Sequence, residues 1–308
     1  MTTALFTHPV CIEHDPGSGH PESPGRLKSV MDALSADEFN VLERREAPLS
    51  DLAPIKAVHQ PELVDLVMEN IPETGQVYLD PDTALSPKSG EAALRAVGGC
   101  LAAVDAVMED GVQNAFCAVR PPGHHAESGR SMGFCVFNNV VVAADYARTK
   151  HGLSRIAVVD FDVHHGNGTQ HSFEKDQDLF YASSHQYPYY PGTGAESETG
   201  VGNIANLPMA AGEGSDAFRK GYTRQLLPAL REFDPDLLII SAGFDAHERD
   251  PLAQIGLTED DYTWVTRELR AIAEDCCDGR LVSSLEGGYN LDALALSTAA
   301  HVRVLLES

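Results

Sequence analysis

The 308-residue chain has no run of eighteen apolar residues, so no segment reads as a membrane-spanning helix. Its first residues, MTTALFTHPV, carry neither a basic leader nor an apolar stretch long enough for a signal peptide, and a soluble cytoplasmic protein is expected. The six cysteines (Cys11, Cys100, Cys117, Cys135, Cys276 and Cys277) include no C-x-x-C pair. The last two are adjacent, a strained arrangement for a mutual bridge, so buried free thiols are expected. Basic residues are scarce: 22 Lys and Arg stand against 46 Asp and Glu, a formal net charge of −24. That charge repels phosphate backbones and argues against nucleic acid as a partner of the surface at large. It favours cationic partners, and solubility alone accounts for it equally well. There is no internal repeat, no low-complexity tract and no linker rich in Pro, Gly or Ser. A single domain over residues 1–308 is expected, with 43% hydrophobic residues to fill its core.

What is present is a repeated unit of short apolar run followed by chemistry. NAFCAV leads into RPPGHH, RIAVV into DFDVHH, DLFYAS into SHQYPYYPGTG, DLLIISAG into FDAHERD, and RLVSSL into EGGYN. Each reads as a strand whose far end carries polar groups. Between them lie helical patterns such as SGEAALRAVGGCLAAVDAVMED and TEDDYTWVTRELRAIAEDCC, the second opening at Thr258 with acids suited to a helix N-terminus. Alternating strands and helices imply an α/β protein with a mostly parallel sheet covered on both faces, in which ligands bind beyond the carboxyl ends of the strands. The segment from Ser183 to Gly202, with Tyr187, Tyr189 and Tyr190, is expected to be a long aromatic loop walling a site.

Unpaired charge is costly in a protein interior, so DFDVHHGNG after a buried strand calls for pairing, exposure or a metal. In an extended segment Asp160, Asp162 and His164 share one side, so that Asp162 and His164 grip one cation while Asp160 lies deeper. Asp245 of SAGFDAH supplies a third ligand. One imidazole and two carboxylates with an open position form a catalytic pattern, since closed structural zinc sites favour four Cys or His ligands. For DFDVHH alone an ion-pair network is as good a reading; with SAGFDAH the metal reading prevails. His124 and His125 follow two prolines and a glycine, a loop in which both rings reach one cavity. Tyr289 sits behind Gly287 and Gly288, a phenol able to donate a hydrogen bond beside a backbone able to approach a ligand closely; taken alone it reads as a core aromatic.

The ordered motifs HPESPGRL, RPPGHH, GFCVFNN, DFDVHHGNGTQ, YPGTG, SAGFDAH and EGGYN resemble the zinc-dependent histone deacetylase family, including its bacterial deacetylase-like and acetylpolyamine amidohydrolase members. Asn167 and the Glu286-Gly-Gly-Tyr form are closer to the class II branch. The resemblance implies the arginase/deacetylase fold, a single eight-stranded parallel sheet with helices on both faces. It implies one zinc per chain on Asp162, His164 and Asp245, with His125 as general base and acid and His124 as its electrostatic helper. Asp160 and Asn167 would orient His124 and His125 respectively, and Tyr289 would bind the substrate carbonyl. Phe134 and Tyr190 would line an acyl-chain tunnel, with Gly133 letting the stem pass and Gly288 beside it. Carbonyls of Asp160, Asp162 and His164 with Ser183 and Ser184 resemble a structural potassium site, and Arg26 an arginine near an acetate exit channel. The implied reaction is removal of an acetyl group from an amine, in an acetylated peptide or protein, with acetylated polyamines as the alternative; a homo-oligomer is neither required nor excluded. Gln254, nine residues after Asp245, stands near the position where one polyamine-specific relative carries an acidic gatekeeper, so an open mouth is expected. An arginase-like ureohydrolase is disfavoured because Gly166 and Gly243 stand where a second metal's aspartates are needed. A noncatalytic acyl-lysine binding module is disfavoured because Tyr289 and the metal ligands are all retained.

Overall fold

The computed structural model describes residues 2–109 and 111–307. Among the described residues there are ten strands: β1 (Thr3–Thr7), β2 (Glu43–Glu46), β3 (Val77–Tyr78), β4 (Ala84–Leu85), β5 (Asn114–Cys117), β6 (Ile156–Asp160), β7 (Leu179–Gln186), β8 (Ile204–Met209), β9 (Leu237–Ala242) and β10 (Leu281–Leu285). Eight form one sheet in the order β2-β1-β5-β10-β9-β6-β7-β8, while β3 and β4 make a separate antiparallel pair. Every pairing in the large sheet is parallel. The five strands expected from the apolar runs, β5, β10, β9, β6 and β7, are therefore consecutive neighbours at its centre.

A parallel sheet is buried on both faces, which is why its central strands lack an alternating pattern. IAVVD, LLIISA and LVSSL are buried at every residue. Helices Glu259–Cys277, Leu291–Leu306 and Pro24–Ala33 pack together as one group and helices Ser89–Glu109 and Asn139–His151 as another. The first helix of the first group begins as its sequence suggests: Thr258 and Asp261 form a reciprocal capping box. The long helix expected to reach Asp110 is described to Glu109, Asp110 lying outside the described residues. All six cysteines are free thiols. Among the described residues no helix is long and apolar enough to cross a membrane.

One boundary differs from expectation. The aromatic loop begins at Tyr187 rather than Ser183, because β7 continues through Gln186 in register with β8, from Ser183 opposite Asn206 to Gln186 opposite Met209. Four polar residues stay in a buried strand because their side chains are satisfied there. Ser183 Oγ lies 2.9 Å from His185 Nδ1, Ser184 Oγ 3.1 Å from the Tyr222 hydroxyl, and His185 Nε2 2.8 Å from the Gly194 carbonyl.

Candidate active site

The five central strands end on the same edge of the sheet, and their following loops converge there. β6 ends at Asp160, after which the chain bends, so the same-side spacing expected of an extended segment is not what joins Asp162 to His164. Two successive turns do it instead: the Asp162 N–H donates to Asp160 Oδ1 (3.1 Å) and the His164 N–H to Asp162 Oδ1 (2.9 Å). His164 Nδ1 then lies 3.1 Å from both Asp162 Oδ1 and Asp245 Oδ2. The remaining carboxylate oxygens are aimed by the backbone: Asp162 Oδ2 accepts from the Gly287 N–H and Asp245 Oδ1 from the Val163 N–H, each at 2.8 Å. A side chain at Gly287 would collide with both carboxylates, so the glycine of EGGYN is demanded by the cradle itself.

The three ligand atoms lie within 4.8 Å of one another and all three residues are buried. Burial and the Asp162 charge push Asp245 up to about 7, while Asp162, although buried, is held well below the usual carboxylate range by His124 and His164. His164 is pulled well above the ordinary histidine range against its burial by the two carboxylates. Two like charges share one imidazole, a conflict that a divalent cation removes; one nitrogen and two oxygens also suit a borderline metal such as zinc. Two other groupings of ligand-type residues occur among the described residues and fit a metal less well. Lys150 Nζ already occupies Asp105 at 2.8 and 2.9 Å in one of them. In the other, burial holds the Cys135 thiol far from ionisation, and Glu286 accepts from the Gly123 and His124 N–H groups.

The paired histidines differ in their partners. His124 Nδ1 meets Asp160 Oδ2 at 2.9 Å, and the same oxygen accepts from the Tyr181 hydroxyl at 3.0 Å. Burial opposes its charge, but Asp160 and Asp162 raise it to about 10, so it is cationic at neutral pH. His125 Nδ1 meets Asn167 Oδ1 at 2.8 Å, and the Asn167 amide is fixed by donating to Glu127 Oε1 at 2.7 Å. An amide oxygen brings no charge, so burial together with the positive charge of His124 beside it holds His125 well below the ordinary histidine range, neutral at neutral pH. With Nδ1–H donated to Asn167, Nε2 is left as an acceptor.

A cavity of about 90 Å³ leads to these groups, lined by Asp82, His125, Gly133, Phe134, His164, Tyr190, Leu252 and Tyr289. The Phe134 ring is edge-on to Tyr289 at 5.8 Å and Tyr190 edge-on to His125 at 5.2 Å. Gly133 has φ +58 and a side chain there would strike His125 and Tyr190; Phe134 itself adopts φ 70, a strained conformation for a bulky residue that turns its ring into the wall. Gly288, with φ 122, is not among the lining residues; it lies behind Tyr289, its carbonyl accepting from Arg26 Nε at 2.6 Å. Arg26 is fully buried, with its guanidinium 5.0 Å from the Tyr289 ring. Glu22 of HPESPGRL sits between Arg26 and Arg120 of RPPGHH, tying the two motifs together in one buried ion network.

The two remaining expectations concern further cations. Asp160 and Ser183 are direct neighbours across β6 and β7, so the oxygen-rich groups assigned to potassium are adjacent. The residues that would need to carry a second metal's aspartates have no space for them: a side chain at Gly243 would collide with Asp162, and one at Gly166 with Asp160. Sequence reasoning missed Leu252 and Asp82 as wall residues, and it favoured the wrong neighbour at the mouth. Gln254 accepts from Gln186 Nε2 at 3.3 Å and its N–H donates to Gln186 Oε1 at 2.8 Å, outside the cavity lining, where Leu252 stands instead. Neither Leu252 in DPLAQ nor Asp82 in DPDTAL carries a sequence signal beyond the turn residues around it.

A family profile described as "Histone deacetylase domain" matches residues 20–305. The chain is 37% identical to Histone deacetylase 14, chloroplastic, of Arabidopsis thaliana, over 98% of its own length and 76% of the relative's. It is 36% identical to the Histone deacetylase-like amidohydrolase of Pseudomonas aeruginosa, covering 94% and 82%, and 36% identical to a "Probable deacetylase" of Archaeoglobus fulgidus, covering 95% and 82%. Among solved structures, the crystal structure of the HDA15 HD domain superposes with a TM-score of 0.93 at 35% identity, covering 99% of this chain and 88% of that one.

Proposed function

Because this chain belongs to the histone deacetylase family, an enzyme family of deacetylases and amidohydrolases, we propose that it is a zinc-dependent deacetylase acting on acetyl-lysine in peptides or proteins. The observation that carries the reading is the meeting of Asp162, His164 and Asp245 at the floor of a narrow cavity that also holds His125 and Tyr289. Zinc on those three residues would supply Lewis acidity toward an amide carbonyl and a water molecule. The chain's own groups do the rest. Neutral His125 takes a proton from the attacking water at Nε2 while Asn167 holds its other nitrogen. Cationic His124 supplies positive potential beside it. The Tyr289 phenol, which burial keeps protonated, donates to the carbonyl oxygen as it becomes an oxyanion. His125 then returns its proton to the amine as the C–N bond breaks, giving acetate and a free amine.

The walls Phe134 and Tyr190 fit a slender alkyl stem, which lysine and polyamines both provide. Leu252 brings no charge to the mouth and Asp82 brings an acid that suits a cationic substrate of either kind; the peptide is preferred because no acid stands at Leu252 to single out a polyamine. The oxygen donors Asp160, Ser183 and Ser184 are of the hard type a structural potassium ion takes. Comparing kcat/KM for an acetyl-lysine peptide with that for acetylputrescine or acetylspermidine at fixed ionic strength tests the substrate. A preference of about a hundredfold for the polyamine, roughly 3 kcal/mol of differential transition-state binding, would overturn it.

A further inference from the structure

Asp250 is a buried carboxylate without a task in the chemistry above, five residues past Asp245 in the loop after β9. We propose that it is a positioning residue that clamps the backbone of Tyr289 to the opposite wall of the cavity. Its Oδ2 accepts from the N–H groups of Tyr289 (2.7 Å) and Asn290 (3.2 Å), and its Oδ1 accepts from the Leu252 N–H (3.0 Å). Tyr289 and Leu252 both line the cavity, so one carboxylate fixes two of its walls. The linkage continues: the Leu252 carbonyl accepts from the Tyr189 hydroxyl, and the Tyr189 ring stacks on His164 with centroids 5.8 Å apart.

Tyr289 needs such a clamp. Among the described residues no side chain hydrogen-bonds its hydroxyl, so the phenol is placed by its ring packing against Phe134 and Arg26 and by its backbone. That backbone follows two glycines, the second at φ 122, and precedes the helix Leu291–Leu306, which Asn290 caps through the Ala293 N–H at 3.0 Å. The two glycines are held by Asp162 and Arg26, but the N–H groups of Tyr289 and Asn290 that follow are taken up by Asp250, whose other oxygen holds Leu252, so the carboxylate completes the placing of the tyrosine before substrate arrives. A purely structural role is the competing possibility, since Asp250 also lies at a helix N-terminus.

The inference rests on the amide-hydrolysis reading in its kinetic arm, so the experiment has a second arm that needs no substrate. Asp250→Asn keeps the shape but can satisfy only one of the two walls. It is expected to lower kcat about thirtyfold with KM within about twofold and zinc content unchanged. In a Tyr289→Phe background the same substitution should cost about threefold or less, because the hydroxyl it places is already gone. An unchanged kcat, or an equal loss in both backgrounds, overturns the proposal in favour of a structural cap. In the native protein, amide exchange at Tyr289 and Leu252 should be slow without ligand; exchange at open-loop rates overturns the clamp even if the variant fails to fold. A native enzyme that hydrolyses no acetyl amide, with both amides protected, would sink the functional reading and leave the clamp standing.

Discussion

At the floor of the cavity Asp162, His164 and Asp245 are 1%, 8% and 0% exposed, and every oxygen of the two carboxylates meets a backbone N–H or the His164 ring. At the mouth Tyr190 is 38% exposed, Asp82 and Leu252 are half-buried, and the Asp82 carboxylate accepts from the hydroxyl of its chain neighbour Thr83 at 3.3 Å. The floor is over-determined: each group is held by at least two neighbours, so removing one misplaces or uncovers the others. The mouth is held through backbone contacts, and its side chains can be exchanged without dismantling anything beneath. Chemistry is thus fixed by the floor and selectivity is left to the mouth, which is why the reaction class is easier to read than the substrate.

Perturbing the floor should give the largest effects. Asp245→Asn removes one ligand charge and disturbs the oxygen that holds the Val163 N–H; metal should be lost and kcat/KM should fall on the order of ten-thousandfold, read by elemental analysis and kinetics on one preparation. Full metal and activity would remove Asp245 from the site. Tyr289→Phe should lower kcat on the order of a hundred- to a thousandfold with zinc still bound; an unchanged kcat with raised KM would make the hydroxyl a ground-state contact.

Below the floor, acid provides a gentler probe. His301 is fully buried, its ring 2.7 Å from Thr266 Oγ1 and 2.9 Å from Ser283 Oγ, and burial lowers it to about 3. A histidine depressed in the folded state takes up its proton on unfolding, so its stabilising contribution is full above the unfolded value near 6.5 and is lost as pH falls from there toward about 3. At pH 5 this single group costs about 2 kcal/mol relative to pH 8. Denaturant melts should show that loss in the native chain and a shallower pH dependence in His301→Gln; parallel curves would assign acid lability elsewhere. The smallest effect belongs to the mouth. Leu252→Glu should raise the kcat/KM ratio of acetylspermidine to acetyl-lysine peptide by about tenfold while leaving metal content and stability near native values. A collapse in both substrates would show that the mouth is as interlocked as the floor.

The same contrast governs what was legible in the sequence. The five central strands and the meeting of Asp162, His164 and Asp245 were readable because buried parallel strands leave continuous apolar runs, and because carboxylates and imidazoles buried at the ends of such runs are costly unless they pair or hold a metal. The edge strand β2, sequence ERRE, was not, since an exposed charged edge carries no apolar signature and is defined only by pairing with β1. The end of β7 was hidden because its last four residues are polar, and hydroxyl and carbonyl partners for them come from elsewhere in the chain. Leu252 and Asp250 were hidden for a similar reason: a leucine in a turn and an aspartate before proline acquire meaning only when the loop after β10 is brought against them.

On the proposed reading, catalysis in this protein depends on one metal ion held by Asp162, His164 and Asp245. Metal-free protein, titrated with zinc while acetate release from an acetyl-lysine peptide is followed, should gain activity linearly and reach its plateau at about one equivalent per chain. A plateau reached only at two equivalents of manganese, with urea released from a guanidino substrate and no acetate from the peptide, would contradict it.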